Sequence, residues 1–362
     1  MASPINFPAS RWQKIEADYA AWWKGELKRP LISISLSNAR DPKIPKPDIP
    51  SYGFAGFYSN DTPAEKIAAL WEYELAKCDF IGDSYPYVWN NFGAGVMAAF
   101  CGATLHASVE AGTIWFESDA AEKPLSERSF AFDPSNFWMK RVADIQKAAF
   151  DRMGTNAVIG LTDIGGSLDV ISSLRTNEDL LMDLYDCPED VKAANWRVHE
   201  CWHKIFHYFA NMNSVHTGYA CWTPIFSKNP WYMLQCDFCY MIGPDMFQEF
   251  VRPELQRSCQ RLSTSFYHWD GKGQLPHAKY LLSIPELTGI QWVPGSGNKP
   301  IDEWPEVYRQ VRDAGKLIQI WGTFQQFERI VSDLGSAEGI ICITSVDASR
   351  RREAEELIAK YQ

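Results

Sequence analysis

GIQWVPGSGNKPIDEWPEVYRQVRDAGKLIQIW, residues 289–321, reads as a strand, a turn, a helix and a second strand. Gly289–Val293 and Leu317–Trp321 are short apolar runs rich in Ile, Leu and Val, the pattern of strands covered on both faces. Pro305–Ala314 has a helical period and opens on a proline, which suits a first helical turn because the missing N–H needs no partner there. Such a unit is a parallel βαβ crossover. The rhythm extends outward. Ala157–Leu161, Gly218–Cys221, Ser263–Tyr267 and Gly339–Thr344 read as strands, and Pro188–Asn211, Pro244–Ser263 and Ser349–Lys360 as helices. Start signals stand at Asp186-Cys-Pro188, Gly243-Pro244-Asp245 and Asp347-Ala-Ser349. With Pro30–Leu36 and Ile81–Val88 upstream, the strands number about eight. The expected class is α/β, a (β/α)8 TIM barrel with N-terminal decorations. The rival is an open doubly wound sheet, which usually announces a glycine-rich first turn; none follows Pro30–Leu36.

A single domain over 1–362 is expected, with 1–64 as an N-terminal extension and first strand and 65–362 as the main barrel. The proline-rich Asp41–Tyr52 reads as an extended surface loop inside the first third, not a linker between halves. Hydrophobic residues make up 46% and charged residues 22%, enough apolar surface for a large core. Lys and Arg number 35 against 45 Asp and Glu, a net charge of −10 with no basic run, which argues against nucleic-acid binding. No apolar window is long enough to span a bilayer. The segment Met1–Trp23 lacks an apolar h-region, so no secretory signal is expected. Nine scattered cysteines fit a reducing cytoplasm better than a disulfide framework.

In a parallel barrel, chemistry sits at the C-terminal ends of the strands. Those ends carry Asp83 and Trp89-Asn90-Asn91; Asp163-Ile-Gly165-Gly166; Trp222-Thr223-Pro224; Tyr267-His268-Trp269-Asp270-Gly271; Trp292 ahead of Pro294-Gly295-Ser296-Gly297; and Trp321-Gly322. Gly, Asp and Ser in such turns are ordinary capping chemistry. The indoles are not, and with 15 Trp in the chain they suggest an aromatic-walled pocket for an organic ligand. His268 and Asp270, two apart on a strand, point to the same side. They read either as two ligands of a divalent metal or as an acid–base pair. His277 lies close enough in sequence to lean back over them.

Three other patterns compete. His199-Glu200-Cys201-Trp202-His203 is a literal H-E-x-x-H, extended by His207. It lies mid-helix, far from any strand end, with no third-ligand pattern after it, and reads as the outer face of a helix. Cys236 and Cys239 form C-x-x-C without a second pair and read as packing cysteines. Cys342 lies in the last strand. A thiolate there could complete a metal site, although its Ile neighbours favour a core role.

Tyr267-His-Trp-Asp-Gly271 through His277, Ile290-Gln-Trp-Val-Pro-Gly295, Gly82-Asp83-Ser-Tyr-Pro86 with Asn91-Phe-Gly93-Ala-Gly95, and Gln235-Cys-Asp237-Phe with Gly243-Pro-Asp-Met-Phe247 together resemble the uroporphyrinogen decarboxylase-like superfamily, over roughly residues 65–360. The resemblance implies a (β/α)8 barrel. The arginine-rich N-terminal pattern of the porphyrin decarboxylases is replaced by Glu26-Leu-Lys-Arg29-Pro-Leu, which removes the clamp for a polycarboxylate. The chain is more similar to the zinc methyltransferase branch, whose His-x-Cys becomes His268-x-Asp270 here, with Cys342 matching the late cysteine loosely. That branch implies zinc or another divalent metal on His268, Asp270 and His277 or Cys342, and a methyl group exchanged with a corrinoid carried on a partner protein. Asp83, Asp163 and Asp237 would orient the substrate, and Trp89, Asn91, Trp222, Tyr267, Trp292 and Trp321 would line its pocket. The expected partners are a small molecule, a corrinoid protein and a second copy of the chain. The alternatives are a metal-free decarboxylase or lyase using His268–Asp270 as acid and base, and a non-catalytic binding protein.

Overall fold

The parallel rhythm becomes eleven strands among the described residues, 3–213 and 218–362 of a computed structural model. The first two residues of the N-terminal segment lie outside them. The strands are β1 (Leu31–Ser37), β2 (Asp79–Gly82), β3 (Tyr87–Trp89), β4 (Thr104–Ser108), β5 (Thr113–Glu117), β6 (Val158–Gly160), β7 (Tyr232–Leu234), β8 (Ser265–Asp270), β9 (Gly289–Val293), β10 (Leu317–Trp321) and β11 (Ile340–Asp347). Seven form one sheet in the order β2-β1-β11-β10-β9-β8-β7. From β7 to β1 every neighbour is parallel, and β2 alone is antiparallel. The fold is therefore α/β around a mostly parallel sheet. Helices Arg252–Arg261, Pro305–Asp313, Phe324–Leu334 and Arg351–Tyr361 follow the rhythm read from the sequence. Covered faces explain the apolar strands: Ile340, Ile341 and Cys342 are fully buried.

A regular eight-stranded ladder is not drawn. The long sheet ends at β2 and β7, β3 and β6 pair apart from it in parallel, and β4–β5 is an antiparallel hairpin. The strand expected at Gly218–Cys221 is reduced to a bridge between Tyr219 and Ser227, with Ala220 O accepting from Leu161 N–H at 3.0 Å. β7 was not legible, because a three-residue strand has too few positions to show a period.

The run Ile81–Val88, expected as one parallel strand, is two strands with different partners. Its first half descends antiparallel to β1, so Asp83 lies at the N-terminal end of the parallel strands, where its N–H donates to Ile32 O at 2.7 Å. Asp83 is fully buried. It accepts from Arg29 at 2.7 and 2.9 Å and from Ile32 N–H at 2.8 Å. Lys14 stands 3.5 Å away, and Arg11 donates to Gly82 O at 2.7 Å. The helix Ala9–Trp23 that bears Arg11 and Lys14 covers this end of the sheet. Trp22 stacks on Phe266 with centroids 5.9 Å apart, and Trp23 donates to Phe226 O at 2.8 Å. The extension is a cover with a buried ion pair, and part of the tryptophan content is spent there. Asp41–Tyr52 has no regular structure, as expected of a proline-rich loop.

Removing one partner of a buried ion pair leaves the other uncompensated. Arg29→Ala should therefore lower unfolding free energy by about 3–5 kcal/mol, read from urea denaturation. Adding Asp83→Asn to it should recover part of that loss.

Candidate functional site at the C-terminal edge of the sheet

Period two places the site. Register pairs His268 with Gln291 and Gln291 with Gln319, and partners in register face the same side. The three form a polar row on one face of β8, β9 and β10. His268 Nδ1–H donates to Gln291 Oε1 at 2.5 Å, and Gln319 donates to Thr223 Oγ1 at 2.8 Å. Gln291 thereby fixes the imidazole tautomer and leaves Nε2 facing the strand end. Asp270, two residues on, brings Oδ2 to 3.8 Å from Nε2. Asp237 enters from the turn after β7. One ligand atom each from Asp237, His268 and Asp270 lie within 4.8 Å of one another.

Asp163 completes the charge cluster from the turn after β6. It is buried, and its carboxylate accepts from Gly165 N–H at 2.8 Å and from Tyr232 O–H at 3.3 Å. Burial pushes it up to about 6, against those hydrogen bonds and the charge of His268. Gly165 has φ +74°, and a Cβ there would come within 2.6 Å of Gly95 Cα, so only glycine lets the two turns meet. Asp237 is exposed at its surface, yet the protein packed around its carboxylate desolvates it and pushes it up; His268 opposes this, while Asp270 and Asp163 reinforce it. His268 loses from burial but gains more from Asp270, Asp237 and Gln291, so its pKa is raised. Asp270 Oδ1 is buried without a partner.

Trp222 sets its ring edge-on to His268 with centroids 5.2 Å apart, and Trp89 lies 6.3 Å from Trp222. Trp321 shares the face of Gln319 at the rim and is 50% exposed. The other expected residues lie elsewhere. Tyr267 and Trp292 alternate to the opposite face: Tyr267 O–H donates to Gln274 at 3.2 Å, and Trp292 packs on Trp304 at 5.3 Å. Cys342 is in register with Ile320, not Gln319; it sits near Tyr361 of the last helix, and burial pushes its thiol up to about 12. His277 donates from Nε2 to Cys239 O at 2.9 Å and stacks on Phe247 at 4.6 Å. It braces the turn that carries Asp237 and is not part of the three-residue group. Asn91 ties its loop, donating to Gly53 O and accepting from Gly93 N–H. Asp83 lies at the far end of the sheet.

Asp169 and Gln291 escaped the sequence reading. Asp169 Oδ1 accepts from Phe238 N–H at 2.8 Å and Oδ2 from Gly166 N–H at 3.2 Å, so one carboxylate clamps the Asp237 turn to the helix after Asp163. Burial and then Asp237 push it up to about 7. The available signal for Gln291 and Gln319 was a glutamine at the centre of each apolar run, GIQWV and LIQIW.

The H-E-x-x-H helix, Pro188–Asn213, holds a buried network in place of an exposed face. His199 Nδ1 is 2.9 Å from Glu254, and Ser258 lies 3.3 Å from both His199 and His203. Glu200 pairs with Arg261 at 2.8 Å, and burial drives His203 down to about 2. These side chains lock this helix to Arg252–Arg261. Cys236 and Cys239 are buried, in keeping with packing.

The fold is similar to that of a methyltransferase from Methanosarcina mazei, with a TM-score of 0.63, 13% sequence identity, and coverage of 95% of this chain and 97% of that one. At that identity the likeness is one of fold. No family model and no curated protein matches the chain. No described helix is long and apolar enough to cross a membrane.

Asp169→Ala strands two backbone N–H groups. Amide exchange at Gly166 and Phe238 should accelerate, and stability should fall by about 1–3 kcal/mol, measured by hydrogen-exchange mass spectrometry and chemical denaturation.

Proposed function

We propose that the protein is a metal-assisted methyltransferase of the uroporphyrinogen decarboxylase-like type, its β3–β6 pair completing a barrel-like ring with the long sheet. The carrying observation is the convergence of Asp237, His268 and Asp270 at the C-terminal edge of the sheet, in a fold similar to that of a methyltransferase. The donors suit a divalent cation. His268 offers a lone pair on Nε2 because Gln291 holds the proton on Nδ1. Asp270 Oδ1 lacks a partner, and the crowding of Asp237 by Asp270 and Asp163 is what a cation would relieve. Asp237, His268 and Asp270 would hold the ion. One nitrogen and two oxygens form a harder set than one containing a thiolate, so zinc, iron(II) and manganese(II) all fit. When bound, such an ion supplies Lewis-acid activation of a methyl acceptor.

The chain's own groups do the rest. Trp222 and Trp89 wall one side of the site. Trp321 meets an organic substrate at the rim. Asp163, poised near 6, holds or accepts a proton beside the reacting group. A corrinoid borne by a partner protein is the methyl carrier in this reading, approaching from the strand ends. A second reading has its own support: a raised His268 beside an Asp163 near 6 is also an acid–base pair for a metal-free lyase.

Purified protein should carry near-stoichiometric divalent metal by elemental analysis, and His268→Ala should reduce it to background. Gln291→Leu should weaken metal binding by about 10–100-fold through loss of tautomer control. Because the ion competes with the imidazole proton, affinity should rise by about tenfold per pH unit below the raised His268 pKa and level off above it. Turnover of methylcobalamin with a panel of thiols and other acceptors tests the transfer. Activity that survives exhaustive chelation would favour the lyase.

A further inference from the structure

The chain has a net charge of −10, yet one cleft runs against that balance. It encloses about 620 Å³ between the long helix Pro188–Asn213 and the chain that follows the turn Leu125–Glu127. Trp196, Glu200 and Lys204 recur four residues apart along one wall, with Arg197 beside them, and Arg128 and Phe130 stand on the other. None of the cations Arg128, Arg197 and Lys204 has an ion-pair partner among the described residues. Arg128 is only 9% exposed, and its guanidinium donates to the carbonyl oxygens of Ala120, Ala121 and Lys123 where a carboxylate would be expected. Ala121 O also accepts from Arg175 at 3.0 Å, but Arg175 is matched by Asp183 at 2.8 Å. Desolvation and the charge of Arg175 hold Arg128 below the ordinary guanidinium value, against Glu122, which lies beyond ion-pair distance. Arg197 donates to Leu125 O at 2.7 Å and lies 5.6 Å from the Phe130 ring centroid. Lys204 is exposed. Of the two acids bordering the cleft, Glu200 is committed to Arg261 at 2.8 Å, so only Glu127 offsets the three cations.

We propose that this cleft binds a phosphate monoester carried on a flat ring. Size excludes a bare oxyanion as its natural occupant, because the volume falls in the range of about 300–1,000 Å³ that holds organic ligands. Charge selects the phosphate. Three cations against Glu127 leave an excess of two, and a phosphate monoester carries about −1.5 to −2 at neutral pH, where a carboxylate carries one. Guanidinium forks match phosphate oxygens, and an anion on Arg128 would compensate a cation that the fold has buried among carbonyl dipoles alone. The ring has its own surface: Trp196 is 42% exposed, and Phe130 faces the same space. This inference does not depend on the reaction catalysed at the strand ends.

Calorimetric titration of the full chain with phenyl phosphate and with adenosine monophosphate tests it, against inorganic phosphate and adenosine. At least one ring-bearing phosphate should bind about tenfold more tightly than either control, since stacking and a charge-assisted hydrogen bond are each worth about that much. Binding of both supports a general aromatic phosphate site, and binding of adenosine monophosphate alone supports a nucleotide site. Lys204→Gln and Trp196→Leu alter exposed side chains, and thermal melts confirm their folding. Each should weaken binding by about tenfold. His268→Ala should leave it unchanged, which separates this cleft from a metal at the strand ends that could itself hold a phosphate. Ring-bearing phosphates that bind no more tightly than inorganic phosphate, or binding that is lost in His268→Ala and kept in Lys204→Gln and Trp196→Leu, would overturn the proposal.

Discussion

Three carboxylates, Asp163, Asp237 and Asp270, converge on the single imidazole of His268, and the local architecture is arranged to hold that convergence against its own repulsion. Asp270 shares β8 with His268, but Asp163 and Asp237 arrive on separate segments after β6 and β7. Asp163 is held by Gly165 N–H and Tyr232. The Asp237 turn is clasped by Asp169 on one side and by Gln274 and His277, through Cys236 O and Cys239 O, on the other. Like charges kept close cost free energy unless a proton or cation intervenes. Burial first, and neighbouring carboxylates after it, raise Asp163, Asp169 and Asp237, and a cluster of groups perturbed in this way is where function is sought.

The opposite end of the sheet uses charge in the reverse manner. Asp83 is fully buried, yet it meets Arg29, Lys14 and the Ile32 amide, so its charge is matched. The N-terminal helix brings in Lys14 and seals the sheet with Tyr19, Trp22 and Trp23. One end is thus satisfied and closed, the other under-compensated and partly open: Asp237 is exposed, and Asp270 keeps 38% of its side chain exposed. The indoles divide the same way, with Trp22 and Trp23 packing one end while Trp222, Trp89 and Trp321 stand at the other.

The sequence by itself determined the parallel βαβ rhythm, with Gly289–Val293 and Leu317–Trp321 matching β9 and β10 to the residue, and the sharing of one side by His268 and Asp270. These follow from local periodicity, and two-residue alternation is the same in any sheet. It also contained, unread, what moves Tyr267 and Trp292 off the site, since each neighbours a residue whose side chain faces inward.

Tertiary structure alone decided the rest. That β2 runs antiparallel, sending Asp83 to the far end, depends on Arg11 and Arg29 reaching it from separate segments. That Cys342 and His277 do not join the three-residue group depends on the register of β11 against β10 and on the Cys239 carbonyl. That H-E-x-x-H is a helix–helix lock depends on Glu254 and Ser258 from another helix. Asp237 meets His268 because two turns from different strands are pinned together by Asp169. A motif states which side chains share a face, but the partner that satisfies or strands each charge comes from distant chain, and only the folded packing supplies it.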